Sequence, residues 1–155
     1  MSDGQDTEFL DFDALQEPWN VYKLSDDAIV KVKFVLQKIR IEKNTGGVRI
    51  VMANTNIAVV ETPERLRGPP GPSPSMEQID QAIVAPEIRF DPVKQAETIY
   101  SLSDGGLMKV KTRLVRVSKT SLFGPDGDPV YKVETTHEVA IMRGPLSDKA
   151  HALGP

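Results

Sequence analysis

The sequence contains no cysteine and only two histidines, and these scarcities remove several classes of function. Without cysteine there is no disulfide framework, no thiol nucleophile and no thiolate metal ligand. His137 and His151 do not make the cluster of imidazoles that holds a catalytic metal. We therefore expect no bound metal, no cofactor and no catalytic residues, and we do not expect an enzyme.

Long apolar runs are also absent. No segment approaches the roughly 18 apolar residues that span a membrane, and the first 18 residues lack the basic and apolar regions of a signal peptide. With 155 residues, 39% hydrophobic and 26% charged, the composition is typical of one or two small soluble domains. We expect a cytoplasmic protein without a membrane partner.

Charge is unevenly distributed along the chain. Residues 1–18 contain no lysine or arginine and carry a charge of −6, which leaves about +3 for the rest of a chain whose net charge is −3. We predict that residues 1–9 form an acidic disordered tail. The alternative is a segment that folds back over the basic body and competes with an anionic ligand. The acidic residues are Asp3, Asp6, Glu8, Asp11, Asp13 and Glu17.

The first half of the chain is repeated in the second half. Tyr22–Lys33 recurs as Tyr100–Lys111, and ten of the 25 positions from Phe12 to Leu36 are identical to their counterparts from Phe90 to Leu114. Unrelated segments would share about one or two. The match resumes at Val48 and Val130, after a loop that is longer in the second copy. We predict two homologous units, a linker and a C-terminal tail. Their bounds are 10–63 and 88–145 for the units, 64–87 for the linker and 146–155 for the tail.

Each unit has the pattern of antiparallel strands. A hairpin turn is predicted at Ser-Asp followed by Asp-Ala or Gly-Gly, and the alternation of the next strand changes phase near Leu36 and Leu114, which indicates a β-bulge. About 50 residues is close to the lower limit for an independent core, so the two units need each other. We predict a mainly β fold of internally duplicated antiparallel units, small barrel- or roll-like, with pseudo-twofold symmetry and one short linker helix.

The segment between the units contains five prolines within residues 63–75. This composition predicts an extended spacer, and a docking peptide for an aromatic-lined groove is the alternative. Ser75 and Gln78 have the spacing of a helix capping box, and Pro86 ends the predicted helix, whose apolar face includes Ala82 and Ile83. In the first unit, residues 54–56 are a potential interruption of the third strand.

The repeated Tyr-x-Leu-Ser-Asp motif supplies four candidate binding residues, Tyr22, Tyr100, Asp26 and Asp104. A functional interpretation makes the tyrosines stacking or hydrogen-bonding groups and the aspartates a pair of carboxylates across the pseudo-twofold axis. A structural interpretation, which we favour, has the tyrosines pack beside the hairpin while serine and aspartate bond to the turn backbone.

The repeated Lys-Val-Lys motif supplies a second set of candidates, Lys31, Lys33, Lys109, Lys111 and Arg113. Two such basic strands at a pseudo-twofold axis are able to follow the phosphates of a polyanion. The interpretation that we favour is an ordinary solvated strand face, on which lysines also discourage aggregation of sheet edges. The sequence pI of about 5.4 and the few aromatic residues count against nucleic acid.

Three hypotheses about function follow. The first is a non-catalytic β-rich binding or assembly module that acts through protein–protein contacts, with a protein partner or by self-association. The second is a protein that binds nucleic acid or another polyanion through the Lys-Val-Lys strands, and we favour it less. The third is a small-molecule-binding protein or enzyme with a site between the two units.

Overall fold

A computed structural model of the protein describes residues 6–44 and 46–143. In chain order, the strands are β1 (Asp6–Leu10), β2 (Phe12–Gln16), β3 (Asn20–Leu24), β4 (Ile29–Asn44), β5 (Gly47–Glu61), β6 (Ile83–Ala85), β7 (Phe90–Lys94), β8 (Thr98–Leu102), β9 (Leu107–Phe123) and β10 (Pro129–Met142). A short 3₁₀ helix covers Glu64–Leu66, and α1 covers Met76–Gln81.

Two antiparallel sheets of five strands contain all ten of these strands. One has the order β1–β4–β3–β7, with β5 also paired to β4, and the other has the order β10–β9–β8–β2, with β6 also paired to β9. The predicted mainly β, antiparallel class is confirmed. Barrel-like closure is not confirmed, because neither sheet closes within the described residues.

Each sheet contains one short strand from the other half of the chain. In the first sheet β7 pairs with β3, and in the second sheet β2 pairs with β8. β2 and β3 are consecutive in the chain but lie in different sheets, and the same is true of β7 and β8. This exchange ties the two halves of the chain together through backbone hydrogen bonds.

The hydrophobic core consists of two clusters, and each draws residues from both halves of the chain. The first combines the second half of β4, including Phe34 and Ile41, with residues of β8 and β9 such as Met108. The second combines β3 and the first half of β4 with Leu114 and Val117 of β9. Because each cluster needs both halves, neither half has a complete core of its own.

The two long strands each contain a bulge at the predicted position. The register between β4 and β5 shifts between Leu36 and Lys38, and the register between β9 and β10 shifts where Leu114 gives way to Arg116. Because side chains alternate with a period of two, an extra residue changes which positions face the core. Even-numbered residues of β4 are buried before the bulge, whereas Ile39 and Ile41 are buried after it.

The hairpin turns also agree with the prediction. Asp27 and Gly105 both have positive φ, 74° and 85°, at the same point of the β3–β4 and β8–β9 turns. Glycine adopts this conformation at little cost, and aspartate is among the residues that tolerate it. The capping box of α1 is present, since Ser75 accepts a hydrogen bond from the Gln78 N–H.

Four expectations from the sequence need correction or lie outside the described residues. Within the predicted disordered tail, residues 6–9 belong to β1, which pairs with β4. Strand β5 runs through residues 54–56 without interruption. Helix α1 ends at Gln81, and Ile83 begins β6. Residues 1–5, the predicted tail 146–155 and His151 lie outside the described part of the chain.

The proline-rich segment is fastened to the loop between β9 and β10. The Gly68 N–H donates to the Gly127 carbonyl at 2.9 Å, and the Gly71 N–H donates to the Gly124 carbonyl at 3.0 Å. A Cβ atom on Gly68 would lie 2.6 Å from the Phe123 ring, so a larger residue there would force this ring to shift. This part of the linker therefore has a fixed place in the fold.

We predict that neither residues 1–70 nor residues 76–155 fold as a monomer. Each half lacks the strand that the other half supplies to its sheet and lacks part of both core clusters. The amide NMR spectrum of each half should have poor dispersion, whereas an equimolar mixture should recover the spectrum of the whole chain. A dispersed spectrum from an isolated monomeric half would contradict the interlocked architecture.

Candidate functional site

The tyrosines of the repeated motif make matching hydrogen bonds between the two sheets. The Tyr100 hydroxyl accepts from the Leu36 N–H at 2.9 Å, and the Tyr22 hydroxyl accepts from the Leu114 N–H at 3.3 Å. Both tyrosines are buried. The ring of Tyr100 makes an edge-to-face contact with Phe12, and the ring of Tyr22 makes one with Phe90. Each tyrosine of one half is thus bound to the long strand of the other half.

The need for these hydroxyls follows from gaps in the sheets. On the edge of β4 that is opposite β5, β3 pairs only as far as Val32 and β1 only from Ile39. On the corresponding edge of β9, pairing with β8 extends only as far as Val110 and pairing with β6 starts only at Lys119. Backbone groups within such gaps have no neighbouring strand, and a buried N–H without a partner is costly. The tyrosine hydroxyls provide that partner.

Each hydroxyl has a second partner that completes the arrangement. Tyr100 donates to Glu17 at 2.5 Å, whereas Tyr22 accepts from the Gln95 side chain at 2.9 Å. Burial raises the pKa of Tyr100 well above its usual value, and the hydrogen bond to Glu17 raises it further. Tyr100 therefore remains protonated at neutral pH, which suits a structural donor and acceptor rather than an acid–base group.

The aspartates of the motif close the hairpin turns. Asp26 accepts from the Ala28 N–H at 3.0 Å and Asp104 accepts from the Gly106 N–H at 2.9 Å, the bonds expected of turn residues. Asp104 also forms a 2.8 Å ion pair with Arg143, and Asp26 has different partners. The two carboxylates are thus engaged separately, each at its own turn.

Asp26 lies in a cluster with Tyr131 and Lys119. The Tyr131 hydroxyl donates to its carboxylate at 2.6 Å, and the Lys119 ammonium lies 3.3 Å away. Burial opposes ionisation of the carboxyl, but the hydrogen bonds from Tyr131, the Ala28 N–H and Lys119 outweigh it, so the pKa of Asp26 lies below its ordinary value. Burial and the bond to Asp26 raise the pKa of Tyr131 above its usual range.

The candidate basic residues lie on the outer faces of two different sheets. Lys31 forms a 2.5 Å ion pair with Glu61, and the Lys33 ammonium lies 5.5 Å from the centre of the Trp19 ring. On β9 the basic residues alternate with buried ones, and they do not share a sheet with the lysines of β4. The residues of this second set are Lys109, Lys111 and Arg113.

A cleft of about 370 Å³ lies beside β9, next to the chain that connects β7 to β8. Lys111 and Arg113 line it together with Glu97, so charges of both signs meet there. Asn20 and Thr112, both buried, also line it, and each has one polar atom without a hydrogen-bond partner among the described residues.

The outer edge of β5 differs from all of these sites. This strand of 15 residues pairs with β4 alone, and no other described strand lies along its second edge. Its segment from Ile50 to Val60 contains no charged residue. Several of its apolar side chains are exposed, among them Val48 at 61% and Val59 at 40%.

The other sheet edges carry features that discourage pairing with another chain. β10 is also long, but Lys132, Glu134 and Glu138 interrupt its apolar residues. β2 and β7 have only five residues each, and β7 contains Pro92. Short strands, charges and proline are the usual protections of an edge. Among the described strands, β5 is the long edge that lacks them.

Comparisons of the chain with protein-family models, with curated proteins and with solved structures found no match. Among the described residues, no helix has the length and apolar character needed to cross a membrane. Within the same part of the chain, no three histidine, aspartate or glutamate side chains are grouped closely enough to hold a metal ion.

The sequence interpretation missed several residues on which these sites depend. Glu17 and Gln95 occupy equivalent positions when the two similar segments of the sequence are aligned, and each bonds to a tyrosine hydroxyl, but the difference between an acid and an amide conceals this. Tyr131 gave no signal, because it reaches Asp26 across 105 positions of the chain. The uncharged run in β5 is evident in the sequence, but the exposure of its edge depends on which strands pair with it.

We predict that Tyr22→Phe and Tyr100→Phe each lower the free energy of unfolding by about 1–3 kcal/mol, since each leaves a backbone N–H without its partner. Urea denaturation measures the loss. Amide exchange locates it, because the Leu114 N–H should exchange faster in the first variant and the Leu36 N–H in the second. A loss below about 0.5 kcal/mol in both variants would be evidence against this role.

Asp26→Asn should lower stability at neutral pH by about 1–2 kcal/mol, because the charged acceptor of Tyr131 and Lys119 is lost. The folded-state pKa of Asp26 is lowered, so the contribution of its charge is present above the unfolded pKa of about 4 and is lost as the pH falls through the folded pKa. The difference from wild type should therefore shrink between pH 5 and the lowest pH at which the protein folds.

Urea denaturation at a series of pH values measures this effect. Asp27→Asn is the matched control, because Asp27 is an exposed neighbour whose ion pair with Arg65 is worth little, and asparagine tolerates its positive φ. A difference between Asp26→Asn and wild type that stays constant with pH would contradict the proposed contribution of the charge.

Proposed function

We propose that this protein is a non-catalytic assembly module that acts through protein–protein contacts, and that its contact surface is the outer edge of β5. The observation that carries the proposal is that this edge is long, uncharged from Ile50 to Val60, and unpaired among the described strands. Such an edge presents a row of backbone donors and acceptors to an added strand. Exposed apolar side chains beside it provide further contact area.

The state of the motif residues supports a binding module over an enzyme. The hydroxyls of Tyr22 and Tyr100 hold backbone groups, and the carboxylates of Asp26 and Asp104 hold turns. A catalytic group must be able to reach a substrate and change its protonation state. These four groups are instead occupied by partners within the fold.

We further propose that the chain is an internal duplication with pseudo-twofold symmetry. In the aligned copies, the first residues of β2, β3 and β4 coincide with the first residues of β7, β8 and β9, and the exchanged pairings β3–β7 and β2–β8 correspond in the same alignment. The reciprocal bonds of Tyr22 and Tyr100 correspond as well. In this proposal β5 and β10 are counterparts, and β5 is the one specialised for contact.

The two other hypotheses have less support. Lys31 and Lys33 already have partners within the fold, and the two basic rows lie on different sheets, which weakens the case for a polyanion surface. The cleft beside β9 contains Glu97 as well as Lys111 and Arg113, so it has no strong preference for an anion.

We predict that a bait protein with Ile57→Glu and Val59→Glu captures less partner than the wild-type bait. Both side chains are on the exposed β5 strand, opposite Lys33 and Lys31 of β4, so the glutamates are compatible with the fold but place charge in the contact. Quantitative mass spectrometry of proteins that co-purify, including untagged copies of the chain itself, provides the measurement.

The matched control is Val93→Glu with Val115→Glu, because these valines are also exposed but lie on other strands. The control bait should capture the same proteins as wild type. Equal loss from both baits, or equal capture by all three, would remove the β5 edge as the contact surface.

A further inference from the structure

We propose that the strand added to β5 is β5 of a second copy of this chain, antiparallel, with Thr55 on the twofold axis. This inference rests on the proposed function, because it names the partner of the same edge. A homodimer of this kind would join the first sheets of two copies into one continuous sheet.

The sequence of β5 is complementary to itself in this arrangement. Reversed about Thr55, it places Arg49 opposite Glu61 of the second copy, the apolar residues 50–53 opposite the apolar residues 57–60, and Asn54 opposite Asn56. Opposite charges, apolar pairs and amide pairs that face each other directly across a ladder are all favourable. Each residue class on one side of Thr55 thus has its match at the same distance on the other side.

Other symmetric registers lose this match. In an antiparallel pair, two opposed residues either both direct their backbone N–H and C=O groups toward the partner strand or both direct them away. These directions alternate along a strand, so in a symmetric dimer the numbers of opposed residues differ by an even number. One residue therefore always lies on the twofold axis. With Asn54 on the axis, Arg49 is opposite Val59, and with Asn56 on the axis, Val51 is opposite Glu61. Each of these registers places a charge against an apolar side chain, which makes Thr55 the favoured centre.

The charges already present on the surface extend the complementarity. Glu61 pairs with Lys31 of the neighbouring strand at 2.5 Å, and Arg49, which is 74% exposed, lies 3.9 Å from Glu42. Joining Glu61 to Arg49 of the second copy creates a row of alternating charge at each end of the interface. The row consists of Lys31 and Glu61 of one copy followed by Arg49 and Glu42 of the second copy.

The length of the pairing is sufficient for a stable contact. Residues 49–61 span roughly 40 Å at about 3.4 Å per residue, and an antiparallel pair of this length forms on the order of a dozen backbone hydrogen bonds. Protein–protein interfaces usually contain about ten hydrogen bonds. The exposed side chains of Ile57 and Val59 are covered in the process, which adds apolar burial.

Single cysteines test the register directly, because the natural chain has none. Directly opposed residues have Cα atoms about 4.5–5.5 Å apart, within the range that a disulfide bridges. Thr55→Cys should therefore form a covalent dimer on mild oxidation. Ala53→Cys alone should not, because its neighbour is Ile57, but a mixture of Ala53→Cys and Ile57→Cys should cross-link. Thr136→Cys on β10 is the control and should stay uncross-linked.

Mass measurements test the dimer without cysteine. Light scattering after size-exclusion chromatography should give twice the chain mass of 17.1 kDa for the wild type. Thr55→Lys places two like charges together on the axis and should weaken the dimer about tenfold or more, while Thr55→Val should not. Arg49→Glu and Glu61→Arg should each weaken it, and the two together should restore it. Circular dichroism of each variant confirms that the fold is intact.

Two results would overturn the inference. The first is a wild-type protein that remains monomeric with no cross-link at position 55, and the second is a dimer that cross-links equally at position 136 or persists unchanged in Thr55→Lys. A monomeric protein whose wild-type bait still captures another protein through β5 would refute self-pairing and leave the proposed function in place. A monomeric protein without any β5-dependent partner would refute both.

Discussion

Two hydrogen bonds, each from a backbone N–H of one long strand to a tyrosine hydroxyl of the other half, link the halves of this fold. The long strands β4 and β9 bend at bulges, and their bends coincide with gaps in the strands that flank them. A buried N–H within such a gap must find a partner. The hydroxyls of Tyr100 and Tyr22 accept from the N–H groups of Leu36 and Leu114, so each long strand takes a backbone partner from the other half of the chain.

The exchange of strands follows from the same arrangement. Each long strand contributes to both core clusters, and one short strand that precedes it along the chain, β2 before β4 and β7 before β9, lies in the opposite sheet. In the repeated Tyr-x-Leu-Ser-Asp motif, each tyrosine hydroxyl bonds to the backbone in the gap near a bulge, and each aspartate bonds to the turn that leads into the long strand.

The two halves of the chain differ in the charge of their outer strands, and this difference distinguishes the edge of β5 from the edge of β10 as a surface for another strand. The outer edges of β5 and β10 occupy similar places in their sheets, yet β10 has charged residues along its length and β5 has none between Ile50 and Val60. An edge without charges is prone to association, and a register that matches opposite charges at its ends limits that association to one partner. The proposed self-pairing of β5 would convert an aggregation hazard into a specific contact.

Much of the fold was predictable because its signals are local. The period of two identified the strands, the change of phase near Leu36 and Leu114 identified the bulges, and Ser75 with Gln78 identified the helix start. The strand formed by residues 6–9 was missed because its acidic composition resembles a solvated tail. Its place in a sheet depends on the part of the β4 edge that β3 does not cover, which no local pattern reveals.

The strand pattern, the turns and the bulges were readable from the sequence, because side-chain periodicity and turn chemistry act over a few residues. The packing of the whole fold was needed to show that Tyr22 and Tyr100 bind backbone groups, that Asp26 meets Tyr131, and that no other described strand pairs with the outer edge of β5. The three hydrogen bonds join residues that are 64 to 105 positions apart, and the exposure of the β5 edge likewise depends on distant strands. Such contacts depend on which strands become neighbours, and that choice is made by the packing of the whole chain.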